Sequence, residues 1–375
     1  MKILLVSTAY WPHPCGGSEH VYYLSKGLRS LGHDVTILTT NYPTLSHSCE
    51  PNEIPTIRVG RALMLTINQG TSPFSIGFEI PFKVRQILIQ KNYDIIHMHS
   101  CYPLELGFWT LIFSHTTNVL TPHTVGFKRN IAFNIGSLLF RKYIKKIHGR
   151  IYVSNLARIW NEPYYPGDYR VIPNGVDTER FSLSVEPFAR ESDKFILLYV
   201  SRLDQKKGIW VLLEAFLKLK DTFPNLILYI VGKGPLLEKA RQYVKENRLE
   251  NRCTFFGYVP REDVPRFYRT CDIYIAPTLG GEAQGIVLLE AMACAAPVIA
   301  SNIGGYDEVI EDGKTGLLFT PNSADDLATK ITQLIKDNNL RKTLANNGHL
   351  QAQQYAWPKI TKQIEDYYYY LIKKH

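Results

Sequence analysis

The segment from Ala276 to Gly305 constrains the fold of this 375-residue chain more than any other. A glycine-rich loop, Gly280–Gly285, precedes the apolar run Ile286–Cys294, which has the composition of a buried helix. A short apolar strand is predicted from Val298, and a second tight turn follows it. Loop, helix and strand in this order are typical of an α/β domain with a parallel sheet. A helix that begins at the end of the loop would direct backbone N–H groups and the positive end of its dipole to one point, as phosphate-binding folds do.

Two carboxylates stand in this segment, Glu282 in the glycine-rich loop and Glu290 within the predicted helix. Carboxylates accept hydrogen bonds from hydroxyl groups and repel phosphates. The segment therefore suits a ligand that carries phosphate at one end and hydroxyl groups at the other. A nucleotide sugar has this layout.

The same residues resemble a known family. Glu282 and Glu290 match the E-x7-E motif, and LEAMACAAPVIA matches the LEAMA-x-x-x-PV-x-A segment, of the retaining glycosyltransferases of family 4. The resemblance implies a GT-B fold, in which two Rossmann-like α/β domains face each other across a cleft. It also implies that Glu282 contacts the transferred sugar and Glu290 the nucleotide ribose. The family usually has E-x-F-G where this chain has Gln284 before the glycine, which leaves the identity of the donor sugar open.

Two cations flank a predicted strand-to-helix turn that follows the apolar strand Phe195–Val200. Arg202 can bind two phosphate oxygens at once, and Lys207 adds a point charge, so the pair suits a diphosphate. The spacing matches the family's R-x4-K-G motif, whose two cations neutralise the leaving nucleoside diphosphate. Lys206 is expected to be a solvated bystander.

The chain opens with the same kind of unit. Ile3–Ser7 predicts a strand buried on both faces, and Ser18 can cap a helix predicted over Glu19–Leu31. Between them, Gly16 and Gly17 would let the backbone approach a phosphate or a sugar closely. The resemblance implies that this loop touches the donor diphosphate and the acceptor.

Three histidines follow predicted strands of the first half. His97 and His99 lie in a D-x-x-H-x-H segment similar to one in the family, and we interpret them as structural because the sequence gives them no partner. His123 follows the strand Asn118–Thr121, at the carboxyl end where open α/β sheets place their ligands. It matches the family's strand-end histidine, which implies that it faces the donor sugar across the cleft. A loop histidine with a structural role is the alternative.

The expected division of the chain comes from one turn. Val171–Asp177 resembles the PNGVD turn that precedes the second domain in the family, and the polar segment Phe181–Ser192 predicts a linker. We therefore expect an acceptor domain over residues 1–176 and a nucleotide-sugar domain over 177–354. The resemblance implies that a final helix, from about residue 355 to 375, packs back onto the first domain.

Further contacts with the donor are implied by the resemblance alone. Val259 lies in the loop after the predicted strand Cys253–Phe256, which in the family lies beside the nucleotide base. Gly285 and Ile286, at the start of the predicted helix, complete the expected donor site. Retention of anomeric configuration is likewise implied by the family, and we assign Glu282 to orientation and charge stabilisation without assigning a nucleophile.

No metal ion or other cofactor is expected. The sequence has no D-x-D motif and no histidine–carboxylate cluster at ligand spacing. Arg202, Lys207 and the helix N-terminus at Gly285 would supply the positive charge that a metal provides in other transferases.

The net charge of +9 is unevenly distributed. Residues 1–176 hold 17 Lys and Arg against 9 Asp and Glu, which indicates an anionic partner for the first domain. Residues 127–150 interleave basic and aliphatic side chains, as membrane-surface helices do, although an ordinary packed helix with a basic face would look the same. We expect a protein bound peripherally to the cytoplasmic face of the membrane, with a UDP- or GDP-sugar as donor and a lipid-linked phosphate or glycan as acceptor. A soluble transferase acting on a small molecule or a sugar phosphate is the alternative.

Six cysteines without C-x-x-C or zinc spacing favour reduced, intracellular thiols. The N-terminus is too short for a signal peptide, and no apolar run reaches the ~18–20 residues of a membrane span.

Other classes of protein fit less well. A nucleic-acid binder would need a recognition motif or stacking aromatic residues among its basic ones. A phosphorylase should carry a cofactor-binding lysine motif, which is not found, and the paired motifs favour a transferase over a nucleotide-sugar epimerase. Intact Glu282, Arg202 and Lys207 argue against a catalytically silent binding subunit.

Overall fold

The computed structural model describes the chain in six ranges, which are 1–13, 15–43, 53–67, 70–126, 141–190 and 193–375. The described chain divides into two compact units. The first contains Met1–Gly175 together with Trp357–His375, and the second contains Val176–Ala356.

The first unit is built on one sheet of short strands. Along the chain these are β1 (Lys2–Val6), β2 (Asp34–Asn41), β3 (Thr56–Ile67), β4 (Gly70–Ile76), β5 (Ile95–Met98), β6 (Thr117–Leu120), β7 (Gly149–Tyr152) and β8 (Tyr169–Val171). In the sheet they are ordered β4-β3-β2-β1-β5-β6-β7-β8, and only the β3–β4 pair among them is antiparallel. The parallel part is doubly wound, so the direction of winding reverses between β1 and β5.

Helices cover the faces of this sheet. They are α1 (Gly16–Ser30), α2 (Ile80–Gln90), α3 (Leu106–Phe113), α4 (Arg141–Ile144) and α5 (Asn155–Asn161).

The prediction that Ser18 caps the first helix is wrong. The helix begins at Gly16 with Cys15 as the N-cap residue, because both glycines join the first turn. The Ser18 hydroxyl instead accepts a hydrogen bond from the Cys15 backbone N–H at 2.9 Å.

The second unit has a parallel sheet of its own. Its strands are β9 (Phe195–Val200), β10 (Leu226–Val231), β11 (Cys253–Gly257), β12 (Ile273–Ala276), β13 (Val298–Ser301) and β14 (Leu317–Phe319). Their order, β11-β10-β9-β12-β13-β14, is that of a Rossmann fold, with the reversal between β9 and β12. The helices are α6 (Ile209–Leu219), α7 (Leu237–Glu246), α8 (Val264–Thr270), α9 (Ile286–Ala293), α10 (Ala324–Lys336) and α11 (Asn338–Ala352).

Both faces of this second sheet are buried. Leu197 on β9 packs in a cluster with α6 and α10, and its neighbour Leu198 packs in a separate cluster with α9. Successive side chains of a strand point to opposite faces, so two cores on one strand require helices on both sides. This explains why the strands of the unit read as continuous apolar runs.

The predicted linker at Phe181–Ser192 is wrong for its described part. Phe181 is buried in the second unit's core, and the Phe188 backbone N–H donates to Thr270 Oγ1 at 2.9 Å. Arg190 pairs with Asp272 at 3.0 Å. Phe181 and Phe188 thus anchor this segment to the core of the second unit.

The last helix, α12 (Trp357–Lys374), belongs to the first unit and packs beside α1. Ile360, Ile364 and Leu371 are buried in the same core as β1. Gly27 on α1 faces Thr361 so closely that a Cβ at Gly27 would lie 2.3 Å from the threonine hydroxyl. The absence of a side chain at Gly27 therefore allows the two helices to pack closely.

Three further expectations concern the basic stretch, membrane spans and the cysteines. Most of the basic stretch at 127–150 lies outside the described residues, which resume at α4. Within the ranges given above, no helix combines the length and apolar character required to cross a bilayer. Each described cysteine is a free thiol, and Cys49 lies outside the described residues.

Candidate active site

The reversal point of the second sheet brings the predicted donor-site residues together. Strands β9 and β12 pair in parallel, so the loops that leave their carboxyl ends are neighbours. Open α/β sheets bind ligands at such a point. The loop after β9 carries Arg202 and Lys207, and the loop after β12 carries Glu282 and ends at Gly285.

An ion pair joins the two loops. Lys207 Nζ lies 2.5 Å from Glu282 Oε1, and Lys206 Nζ lies 3.7 Å from the same oxygen. The three side chains are only 17–18% exposed. Burial alone would raise the pKa of Glu282, but the charges of Lys207 and Lys206 lower it below its ordinary value. Glu282 is therefore an ionised carboxylate at neutral pH, held between two ammonium groups.

The prediction that Lys206 is a solvated bystander is wrong. The Leu279 backbone N–H donates to the Lys206 carbonyl at 2.8 Å, so the loop after β12 lies directly against the turn that carries both lysines. The approach is close at Gly208 as well, where a Cβ would lie 1.8 Å from the Pro277 carbonyl oxygen. Gly208 is required there both for space and for its φ of +68°.

Arg202 has a different partner. Its Nη2 lies 2.6 Å and its Nε 2.8 Å from the same oxygen of Asp204. The guanidinium is about half exposed, whereas Asp204 is buried. Asp204 thus fixes one edge of the guanidinium and leaves its other N–H donors for an anion. Sequence reasoning missed Asp204, although an acid two positions after an arginine in one turn was a usable signal.

Helix α9 begins directly after Gly285, as the sequence predicts. Gly285 has a φ of +80°, and a Cβ there would lie 2.3 Å from the ring of Tyr306. The Tyr306 hydroxyl is held 3.0 Å from Thr278 Oγ1. Glycine has no side chain to cap the helix. The Leu288 backbone N–H donates to the Gly285 carbonyl at 3.0 Å, so the N–H groups of Ile286 and Val287 are the ones available to a ligand.

Glu290, one turn along α9, has its own surroundings. Burial raises its pKa to about 7, against the opposing charges of Arg180 and Arg261. The Tyr268 hydroxyl donates to Glu290 Oε2 at 3.3 Å. Unlike Glu282, this carboxyl changes its charge near neutral pH.

Val259 is the remaining predicted donor residue of the second unit. Val259 is half-buried and packs against the cluster that contains Leu288 and Leu289 of α9. Gln284 is 2% exposed, so the residue that departs from the family motif is a buried amide. Gly305 lies directly against the loop that carries Glu282, since a Cβ at Gly305 would be 2.5 Å from the Glu282 carbonyl oxygen.

The first unit has a corresponding cluster at its own reversal point. His20 on α1 lies beside Gly16 and Gly17 in sequence, and its ring is 4.7 Å from that of His123, centroid to centroid. His99 Nδ1 lies 3.1 Å from His123 Nε2. Burial lowers the pKa of all three imidazoles, that of His20 to about 4, so they are neutral at physiological pH.

His97 behaves as interpreted from the sequence. It is fully buried, and its two ring nitrogens bond to the Tyr368 hydroxyl at 2.6 Å and to Thr121 Oγ1 at 2.7 Å. Sequence reasoning missed His20, which hydrogen-bonds Asn174 of the PNGVD turn at 2.8 Å. The available signal was its place in the buried stripe of α1, next to Val21 and one turn before Leu24.

Two doubly wound units, with cations and carboxylates at the reversal point of the second, define a glycosyltransferase of the GT-B class. Residues 14–180 match the family model Glycosyltransferase Family 4, and residues 183–351 match Glycosyl transferases group 1. The chain is 31% identical over 367 residues to a phosphatidyl-myo-inositol mannosyltransferase of Mycolicibacterium smegmatis, covering 97% of this chain and 92% of that one. It belongs to glycosyltransferase family 4.

Other known proteins agree with this assignment. The chain is 24% identical to an alpha-monoglucosyldiacylglycerol synthase of Acholeplasma laidlawii, over 100% of this chain and 98% of that one. A glycosyltransferase structure from Rickettsia africae superposes with a TM-score of 0.82 at 23% identity, over 100% and 99% of the two chains. An Anabaena protein solved with UDP-glucose superposes with a TM-score of 0.75 at 22% identity, over 98% and 99%. These structures share the fold.

Proposed function

We propose that this glycosyltransferase is a retaining, metal-independent enzyme that transfers a sugar from a UDP- or GDP-sugar to a membrane lipid or lipid-linked glycan at the cytoplasmic face. The observation that carries the donor half of this proposal is the ion pair of Lys207 and Glu282 beside the start of α9.

Donor binding would exchange the partners of this ion pair. The diphosphate carries more negative charge than one carboxylate, so it would attract the Lys207 ammonium, which has three N–H donors. Glu282 would then accept hydrogen bonds from hydroxyls of the transferred sugar. Arg202, oriented by Asp204, and the free N–H groups of α9 add positive charge from two further directions.

Transfer breaks the bond between the anomeric carbon and the diphosphate oxygen and forms a bond from the acceptor oxygen to the same carbon. Negative charge grows on the diphosphate, where Lys207 and Arg202 meet it, and positive charge grows on the sugar, where Glu282 meets it. Attack from the face that the diphosphate leaves would retain the anomeric configuration and pass the acceptor proton to the departing oxygen. These fixed charges would make a metal ion unnecessary.

Residues of the first unit would also bind substrate. Gly16 and Gly17 open α1 at the reversal point of that sheet, where a ligand is expected. His123, a neutral imidazole held by His99, can donate or accept one hydrogen bond, which suits a hydroxyl of the donor sugar. In the second unit, Glu290 would contact the ribose and Val259 the base.

The acceptor is proposed from two lines of support. Relatives that align with almost the whole chain are named for transfer to phosphatidyl-myo-inositol and for synthesis of a glucosyldiacylglycerol. The described surface also carries an apolar patch around α2, which we call the α2 patch. Phe78 is 99% exposed, Phe82 76% and Ile89 70%.

Cations accompany these apolar side chains. Lys83, Arg85 and Lys91 are all exposed on or beside α2, while Ile80 and Val84 anchor the helix in the core. Exposed apolar and basic side chains on one short helix are the features of an interfacial helix, with about 1 kcal/mol of attraction to anionic lipid per cation near the surface. We propose an anionic membrane surface as the partner of the α2 patch.

The test is a transfer assay with labelled UDP- and GDP-sugars, in EDTA, on vesicles that contain phosphatidylinositol or diacylglycerol. Labelled lipid should form with one nucleotide, and Glu282→Gln should abolish it. Glu238→Gln, an exposed carboxylate of the same unit, is the matched control and should leave it intact. Label on water-soluble acceptors alone would refute the lipid acceptor, and hydrolysis without transfer would refute the transferase assignment.

A further inference from the structure

Three histidines from three separate elements converge in the first unit. His20 comes from α1, His99 follows β5 and His123 follows β6. One ring nitrogen of each lies within 4.8 Å of those of the other two. His20 and His99 are buried and His123 is half-buried, so the group is reached from the His123 side.

Two of the nitrogens are already separated as they would be on one ion. His99 Nδ1 and His123 Nε2 are 3.1 Å apart. Two imidazole nitrogens that bind one zinc ion tetrahedrally at about 2.0–2.1 Å are about 3.3 Å apart. An ion could therefore replace the shared proton between these rings with small shifts of both.

The third ring is oriented by a neighbour. His20 Nδ1 is bonded to Asn174 Oδ1 at 2.8 Å, which places the proton on Nδ1 and a lone pair on Nε2. His20 Nε2 is buried and has no hydrogen-bond partner among the described residues. A histidine whose second nitrogen donates to a fixed oxygen is the usual arrangement of a metal ligand. The unpaired nitrogen is a second observation, independent of the clustering, that points to a ligand.

We propose that His20, His99 and His123 bind one divalent transition-metal ion of the zinc type, with the fourth position open beside His123 for water or an anion. Imidazole suits zinc, cobalt, nickel and copper, whereas magnesium and calcium require oxygen ligands. Among the described residues the group consists of imidazoles alone, as in zinc sites with three histidines and a water.

Occupation of this site would inhibit the enzyme. This consequence rests on the proposed function, because it requires that His123 serve the donor sugar. An ion on His123 Nε2, with its water or anion in the open position, would occupy the space beside His123 that the sugar hydroxyl needs. Metal binding itself does not depend on that role, so the two statements can fail separately.

Cobalt titration of the untagged, full-length protein tests the site. Wild type should bind one Co²⁺ per chain with the intense visible absorption of a tetrahedral site, and Zn²⁺ should displace it. X-ray absorption of the zinc form should show about three imidazole nitrogens at about 2.0–2.1 Å. His20→Gln should weaken binding at least tenfold, and His115→Gln, an exposed histidine of the same unit, should not.

Circular dichroism would reveal whether His20→Gln fails to fold. A second variant keeps the proposal testable in that case. Asn174→Ala keeps all three ligands and removes only the orienting oxygen, and it should weaken binding by about 10–100-fold. The proposal is overturned if wild type shows no tetrahedral Co²⁺ absorption, or if folded His20→Gln and Asn174→Ala both bind Co²⁺ as wild type does.

Inhibition is measured separately with a transfer assay. Zn²⁺ should inhibit wild type over the range in which it displaces cobalt, and His20→Gln should need at least tenfold more. If the ion binds without inhibiting, the metal site stands and the proposed role of His123 fails. The cobalt titration tests the metal site even if the protein shows no transfer activity.

Discussion

Lys207 and Glu282 are 75 positions apart in the chain, yet the lysine ammonium lies 2.5 Å from a carboxylate oxygen. The pair joins the loop after β9 to the loop after β12 at the reversal point of the sheet. In the proposed mechanism each member has a second partner in the donor, the diphosphate for Lys207 and the sugar hydroxyls for Glu282. In this proposal, the cation and the anion that the reaction needs form an ion pair with each other before the donor binds.

Replacing Lys207 by alanine should lower kcat by roughly 10²–10³-fold and change the donor KM much less, because the charge it meets is greatest in the transition state. Steady-state kinetics with saturating acceptor measures both. Lys206→Ala, which removes the more distant ammonium at 3.7 Å from the same oxygen, should cost less. A Lys207→Ala kcat within threefold of wild type would refute the role.

Gly285→Ala should destabilise the second unit and abolish donor binding. The substitution meets both a left-handed φ and the ring of Tyr306 at 2.3 Å. Gly313→Ala is the matched control, because Gly313 has a φ of +74° but no atom within 4 Å of its added Cβ. It should cost only the backbone strain, about 1 kcal/mol. Thermal unfolding with and without donor tests this, and equal losses in both variants would show that contact with Tyr306 is unimportant.

Donor affinity should depend on pH through Glu290. Its pKa in the folded protein is raised to about 7, so it is mostly protonated at pH 6 and mostly ionised at pH 8. If the ionised form accepts hydrogen bonds from the ribose, affinity for a nucleotide sugar should rise by up to about tenfold over this range. The lowered pKa of Glu282 keeps that carboxylate charged throughout.

Calorimetric titration at several pH values measures the effect in wild type and in Glu290→Gln. The variant should bind more weakly at pH 8 and lose the rise. A rise of the same size in Glu290→Gln would assign the titration to another group.

Changing Phe78 and Phe82 together to aspartate should abolish binding to anionic vesicles. The change replaces the most exposed apolar side chains of the α2 patch by charges that the lipid headgroups repel. Leu350→Asp, at a residue 57% exposed in the second unit, is the control and should cosediment as wild type does. Wild-type binding should fall in high salt. If the double variant binds fully, the α2 patch is not the membrane contact, and the stretch at 127–150 becomes the candidate.

The regular elements of the second unit are readable from the sequence. Phe195–Val200, Leu226–Val231 and Ile273–Ala276 are uninterrupted apolar runs, and the structure places strands with those bounds. Gly232 follows the second run and Pro277 the third, so those two ends are marked locally, whereas the first run ends at the polar residues Ser201 and Arg202. The start of α9 at Ile286 is predicted for the same reason.

The contacts between side chains at the site could not be predicted from local sequence. Lys206 meets Glu282 only because the loop after β12 lies against the turn that carries the lysine, and that contact depends on the pairing of β9 with β12. His20 joins His99 and His123 through the winding of the first sheet. Strand β3, Thr56–Ile67, continues through Gly60 with a shift in register instead of turning there.

We propose that this site transfers a sugar from a nucleotide sugar to a lipid with retention and without a metal. The most direct measurement is the anomeric configuration of the lipid product by NMR, from wild-type enzyme, an α-linked donor and acceptor vesicles in EDTA. The proposed mechanism predicts an α-linked glycolipid formed at an undiminished rate. A β-linked product, or activity that EDTA abolishes and magnesium or manganese restores, would contradict it.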